Sequence, residues 1–224
     1  MFFDPIYFIV IAPALLLSLW ASFRVKSNFK KYSRVRSMSG RSGAEVAAAM
    51  LRQAGIDNVR IVRSRGRLSD HYNPVTRTLA LSESVHDTDT VAAVSVAAHE
   101  AGHALQHAQN YAPLWIRSML VPTAGIGSSV GYFMMFIGSI IQLSELIFLG
   151  VALFSMVLLF QVVTLPVEFD ASSRAKKILF QSGFIAEQER RGVSAVLNAA
   201  ALTYVAAVFS TLLTLLYFLM RARD

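Results

Sequence analysis

The chain has 224 residues, of which 54% are apolar and only 16% charged, with a net charge of +7 and a mean hydropathy of +0.49. A soluble globular domain carries about 25% charged residues, so the composition excludes one and points to a membrane protein. The absence of cysteine excludes disulfides, thiolate metal sites and cysteine nucleophiles, leaving histidine and carboxylate for any metal chemistry.

Four stretches contain no Asp, Glu, Lys or Arg: from Asp4 to Arg24, from Arg117 to Glu145, from Glu145 to Glu168, and from Arg191 to Arg221. A helix needs about 20 residues to cross roughly 30 Å of hydrocarbon. The sequence therefore predicts transmembrane helices near residues 6–23, 120–141, 146–166 and 196–220. The first reads as an uncleaved anchor, since no Lys or Arg precedes it and no A-x-A site follows. Of the 21 cations, 14 lie between Arg24 and Arg117, five between Glu168 and Arg191, and two in the tail. With four crossings the first two groups share a side, and the cation bias assigns that side to the cytoplasm.

This divides the chain into an N-terminal transmembrane anchor (1–23), a cytoplasmic domain (24–117), a transmembrane hairpin (118–167), a second cytoplasmic segment (168–191) and a final transmembrane helix with a short tail (192–224). The expected architecture is a mainly α membrane protein, four transmembrane helices carrying a small cytoplasmic α+β module. The positive charge is accounted for by topology and anionic lipid, and no aromatic-interleaved basic motif suggests nucleic acid.

The domain at 24–117 opens with a basic run, Arg24 to Arg36, suited to lipid headgroups. Ser42-Gly-Ala-Glu45 is a capping box that predicts a helix over 43–54, ended by Gly55. Residues 59–62 and 76–81 read as short strands separated by turn signals at Ser64-Arg-Gly66 and Asn73-Pro74. Residues 78–81 of the second are a candidate for pairing with an extended substrate. A second helix follows the capping side chains of Asp87 to Thr90 and runs over 91–109; being apolar nearly all round at its start, it must be buried.

That helix carries His99-Glu100-Ala101-Gly102-His103. Residues four apart share a helix face about 6 Å apart, so His99 and His103 can converge on one ion, and Zn2+ suits them. Glu100 is turned roughly 100° from His99, beside the metal, where it can take a proton from water. Gly102 allows another element to pass close. His107 continues the spacing but sits about 12 Å along the axis from His99, too far for a three-histidine site. A catalytic zinc needs a third protein ligand. Glu168, in Leu165-Pro-Val-Glu-Phe-Asp-Ala171, follows two crossings later on the same expected side; Asp170 is the alternative, or an acceptor that fixes a zinc-bound imidazole. Arg174 either orients a carboxylate or snorkels at the interface. Donors for a tetrahedral oxyanion are sought among His71, Tyr72 and Tyr111, with a turn-stabilising role also open to His71. Gly127-Ser-Ser-Val-Gly131 reads as a small-xxx-small packing surface.

Three separated motifs carry a resemblance. Ala97-Ala-His-Glu-Ala-Gly-His-Ala-Leu-Gln-His-Ala108, the pair Asp70-His-Tyr-Asn-Pro74 and Leu81-Ser-Glu-Ser84, and Leu165-Pro-Val-Glu-Phe-Asp-Ala171 together resemble the YugP-like neutral zinc metallopeptidases over nearly the whole chain. The resemblance implies a zincin-like metalloprotease, akin to membrane proteases that process prenylated peptides or serve heat-shock quality control. It implies His99, His103 and Glu168 as zinc ligands and Glu100 as general base. Such relatives commonly carry Asp four positions after the ligand Glu; here that position is Ser172, with Asp170 two after.

The expected activity is hydrolysis of peptide bonds in a peptide or membrane-protein substrate, at the cytoplasmic face of a bacterial plasma membrane. The oligomeric state is open. Two other classes compete: a non-hydrolytic scaffold or adaptor with a structural zinc, and a transporter, for which the spans offer no embedded charge.

Overall fold

The computed structural model describes residues 5–66 and 68–223. Its elements are α1 (Pro5–Tyr32), α2 (Gly43–Gln53), β1 (Arg60–Ser64), β2 (His71–Asn73), β3 (Thr78–Ser82), α3 (Glu83–His86), α4 (Val91–Ala108), α5 (Ala112–Ile126), a π-helical turn (Gly127–Gly131), α6 (Tyr132–Ile141), α7 (Ser144–Gln181), a 3-10 turn (Glu187–Glu189) and α8 (Arg190–Arg221). The chain falls into two compact units, one of Met1–Ser22, Trp115–Pro166 and Leu202–Asp224, the other of Phe23–Leu114 and Val167–Ala201.

The first unit holds the apolar runs. Among the described residues four helical stretches are long and apolar enough to cross a membrane: Pro5–Tyr32, Ala112–Ile141, Ser144–Gln181 and Glu187–Arg221. Each includes an expected span and outruns it, because nothing in the adjoining polar sequence breaks a helix. Even Pro166 does not end α7; the two units meet in sequence there, and Glu168 lies in the continuing helix rather than in a segment after it. Within this unit Gly127 and Gly131 lie against α7. A methyl at Gly131 would stand 2.8 Å from the Phe154 amide nitrogen, and one at Gly127 would press on the Leu153 carbonyl. The small-xxx-small pattern thus serves packing inside the chain.

In the second unit the capping box forms as expected. Ser42 Oγ accepts from the Glu45 amide at 3.3 Å, and the Glu45 carboxylate accepts from the Ser42 amide at 2.7 Å. Gly55, at φ +69°, closes α2, and the Ile56 amide reaches back to the Leu51 carbonyl at 2.9 Å.

The sheet has the order β1-β3-β2, with β1 parallel and β2 antiparallel to β3. Two points correct the sequence reading. The segment at His71 is a strand rather than part of a turn; three residues are too few for alternation to reveal it, and pairing with β3 supplies the hydrogen bonds that local sequence does not. The strand proposed for substrate pairing, β3, is central and paired on both sides, so the free edges are β1 and β2.

Helix α4 begins at Thr90, whose hydroxyl accepts from the Ala93 amide at 3.3 Å. It runs through the centre of the unit, packed against α2 and the sheet. Its own Val91 and Val94 share one core with Val46 and Met50 of α2 and with Leu79 and Leu81 of β3, joined by Ala175 and Leu179 of α7 and by Val193 and Leu197 of α8. Each fully buried Val, Leu or Met contributes about 1.5–3 kcal/mol. This core fixes the height and rotation of α4, and with them the side chains it presents to α7. Val193 and Leu197 lie in the first turns of α8, and Leu197 thus belongs to this core although it falls within the expected span 196–220.

Candidate metal centre

Polar side chains on an otherwise apolar buried helix must find partners, and His99, His103 and Gln106 of α4 find theirs on α7. His99 and His103 lie one turn apart and meet edge to face, ring centroids 4.7 Å from each other and planes at 81°. Glu168, 2% exposed, brings its Oε2 to 3.2 Å from His99 Nε2 and 3.6 Å from His103 Nε2. Donor atoms of all three lie within 4.8 Å of one another.

The outer ring nitrogens are also engaged. His99 Nδ1 is 3.1 Å from Ser172 Oγ, and His103 Nδ1 is 3.0 Å from Gln106 Oε1. Gln106 donates through Nε2 to the Val167 carbonyl and to Asp170 Oδ2, each at 2.8 Å. Arg174 donates to the same carboxylate at 2.5 Å, also reaches Gln109 Oε1, and lies over the Tyr111 ring at 5.7 Å. Its partner is therefore a carboxylate, the sharper of the two readings.

Glu100 is 8% exposed. Burial disfavours a charged His103, but its hydrogen bond to Glu168 and the charges of Glu100 and Glu168 win, and its pKa is raised. Two carboxylates beside two imidazoles attract a cation, and a metal at Nε2 would take the place of that proton.

A family model described as putative neutral zinc metallopeptidase matches residues 7–223. The chain belongs to that family. It is 49% identical over 213 residues to the putative membrane protease YugP of Bacillus subtilis strain 168, covering 95% of this chain and 94% of the relative. No solved structure matches it.

Membership implies zinc, and the donor set fits. Ligands at about 2.0–2.2 Å in a tetrahedral site stand about 3.4 Å apart, bracketed by the 3.2 and 3.6 Å separations from Glu168. Two neutral imidazoles and one carboxylate suit zinc, and three ligands leave a fourth position for substrate or water.

Asp170 is outside this cluster. It approaches His103 only through Gln106, so it neither joins the three donors nor touches an imidazole directly. His71 is also elsewhere. Successive strand residues face opposite ways, and its neighbour Tyr72 turns toward α4, its hydroxyl 2.8 Å from His107 Nδ1. His71 is exposed, with Nδ1 2.9 Å from the Ser69 carbonyl. Tyr72 and His107 line a cleft of about 580 Å³ with Arg77 and the loop from Gly55 to Val59.

Sequence reasoning gave no partner role to Gln106 or Ser172. Gln106 is fully buried, three residues after His103; Ser172 is one turn after Glu168 on the same helix face. A glutamine on a buried apolar helix was a usable signal, and for Ser172 the signal was its place four residues after Glu168, where the resemblance implies an aspartate.

Proposed function

We propose that this chain is a membrane-embedded zinc endopeptidase in which His99, His103 and Glu168 hold the metal and Glu100 is the general base. The observation that carries the reading is the meeting of two imidazole nitrogens from one buried helix with a carboxylate oxygen from another, at the spacing a tetrahedral zinc requires. A closed structural site takes four protein ligands, and the described residues bring three together, which favours the enzyme over the scaffold.

Zinc bound there supplies Lewis acidity, acidifying water and polarising a peptide carbonyl. The protein's own groups do the rest. Glu100 removes the proton of the attacking water and returns it to the nitrogen of the leaving amine. Ser172 and Gln106 orient the two imidazoles, and the hydrophobic core around α4 keeps the site rigid. The module is zincin-like, and its substrate is a peptide or membrane protein reached at the bilayer surface. The cation bias supports a site on the cytoplasmic side of a bacterial plasma membrane.

The test compares the wild type with Glu100→Gln on casein and on detergent-solubilised membrane proteins. Zinc content should be equal in both, and cleavage should fall by about 10²–10⁴-fold in the variant. Equal cleavage by both would refute the assignment of the base, and no cleavage by metal-loaded wild type on any substrate would favour the scaffold.

A further inference from the structure

Gln106 is wholly buried, and a buried amide is tolerated only when its hydrogen bonds are made. Its two ends are chemically opposite, the nitrogen only donating and the oxygen only accepting. One end lies 2.8 Å from the Val167 carbonyl oxygen and 2.8 Å from Asp170 Oδ2, both acceptors, so that end must be the nitrogen. The other end, 3.0 Å from His103 Nδ1, is then the oxygen. An oxygen there requires a proton on Nδ1. Once a metal displaces the Nε2 proton shared with Glu168 the imidazole is neutral with one ring proton, and with that proton held on Nδ1 the lone pair of Nε2, the atom turned toward Glu168, is free to ligate.

We propose that Gln106 is a positioning residue for the metal: its clamped amide keeps the His103 proton on Nδ1 and presents the Nε2 lone pair to the ion. The inference rests on the zinc reading above and adds to it the residue that dictates one ligand's tautomer. The clamp is itself held, because Arg174 fixes the Asp170 carboxylate that selects the amide orientation. His99 has no such device. Its partner is a hydroxyl, which donates or accepts equally well and leaves either tautomer available. The two histidines are therefore unequal, and loss of Gln106 should affect the metal more than loss of Ser172.

The test uses the full-length chain in detergent, with zinc affinity measured by chelator competition and site geometry by the visible absorption of the cobalt-loaded form. Gln106→Met should weaken zinc binding about 10–100-fold, the usual cost of removing a ligand's hydrogen-bond partner, and shift the cobalt spectrum. Ser172→Ala should cost less. Histidine 15N NMR of the zinc-loaded wild type bypasses any folding defect, and should find the proton of His103 on Nδ1.

Wild-type affinity and spectrum in Gln106→Met would overturn the proposal, as would a protonated Nε2 in the wild type. Failure of the wild type itself to bind zinc, or retention of zinc by His103→Ala, would instead overturn the zinc site.

Discussion

Gly102 of α4 lies so close to the main chain of α7 that a methyl group on it would stand 2.6 Å from the carbonyl oxygen of Ala171. The missing side chain is what lets the helix bearing both histidines approach the helix bearing Glu168. Alanine is the better helix former by about 1 kcal/mol, so an unconstrained position would gain stability from the exchange. Here the clash is with backbone, which cannot rotate away. Gly102→Ala should lower stability by about 1–3 kcal/mol, the usual cost of overpacking, and weaken zinc binding along with it. Thermal melts of both proteins with and without zinc measure this; a stabilised variant would contradict the close approach.

The ligand set predicts an order of metal loss. His99→Ala, His103→Ala and Glu168→Ala should each purify without stoichiometric zinc, since two remaining donors hold the ion poorly. Asp170→Ala should keep its zinc but release it more readily, because that carboxylate acts through Gln106. Elemental analysis of the four purified proteins gives the comparison. A zinc-free Asp170→Ala beside a zinc-replete Glu168→Ala would exchange the two roles.

Ser172 stands where the resemblance drawn from the sequence implies an aspartate. A carboxylate facing His99 Nδ1 would accept the ring proton and make the imidazole a stronger donor to the metal. Ser172→Asp should therefore tighten zinc binding by about tenfold, at the low end of such effects. Chelator competition at pH 7 reads this directly, and weaker binding would mean that the pocket tolerates only a small neutral partner.

An acid-side effect is expected well away from the metal. Asp87, at the end of α3, receives hydrogen bonds from Arg63 of β1 and from His86, which lower its pKa from 3.8 to about 2. A carboxylate with a depressed folded-state pKa contributes stability that is fully present above its unfolded pKa and is lost as pH falls through the folded one. Asp87→Asn should therefore differ from the wild type by a constant amount above pH 5, with the difference shrinking between about pH 4 and pH 2. The pair is exposed, so the difference will be small. Melting temperatures over this range decide it, and a difference that grows on acidification would reverse the assigned sign.

Sidedness can be read with reporter fusions. Fusions within the Arg24–Arg117 segment and after Gln181 should report the cytoplasm, and fusions after Gln142 and at the tail the opposite side. Reporters placing Arg24–Arg117 and Gln181 on different sides would separate His99 from Glu168 and dismantle the metal site.

Much of this protein was legible locally. Uninterrupted apolar runs mark the spans because a bilayer imposes a length on any segment that crosses it. The capping box at Ser42 and the closing Gly55 mark α2 because their hydrogen bonds are made within a few residues. His99, Glu100 and His103 could be grouped because helix periodicity alone sets their relative directions. The sequence also indicated that Gly102 faces something close, without saying what.

Tertiary structure decided whatever depends on residues far apart in the chain. Glu168 and Asp170 are both carboxylates two positions apart on one helix, and only the rotation of α7 against α4 determines which one meets the imidazoles. Gln106 and Ser172 became partners of His103 and His99 through the same packing, and β2 exists only because β3 lies beside it. Helical and strand periodicities act within a few residues and survive in the sequence pattern. The register between two packed helices is set by the whole surrounding core, and no local pattern carries it.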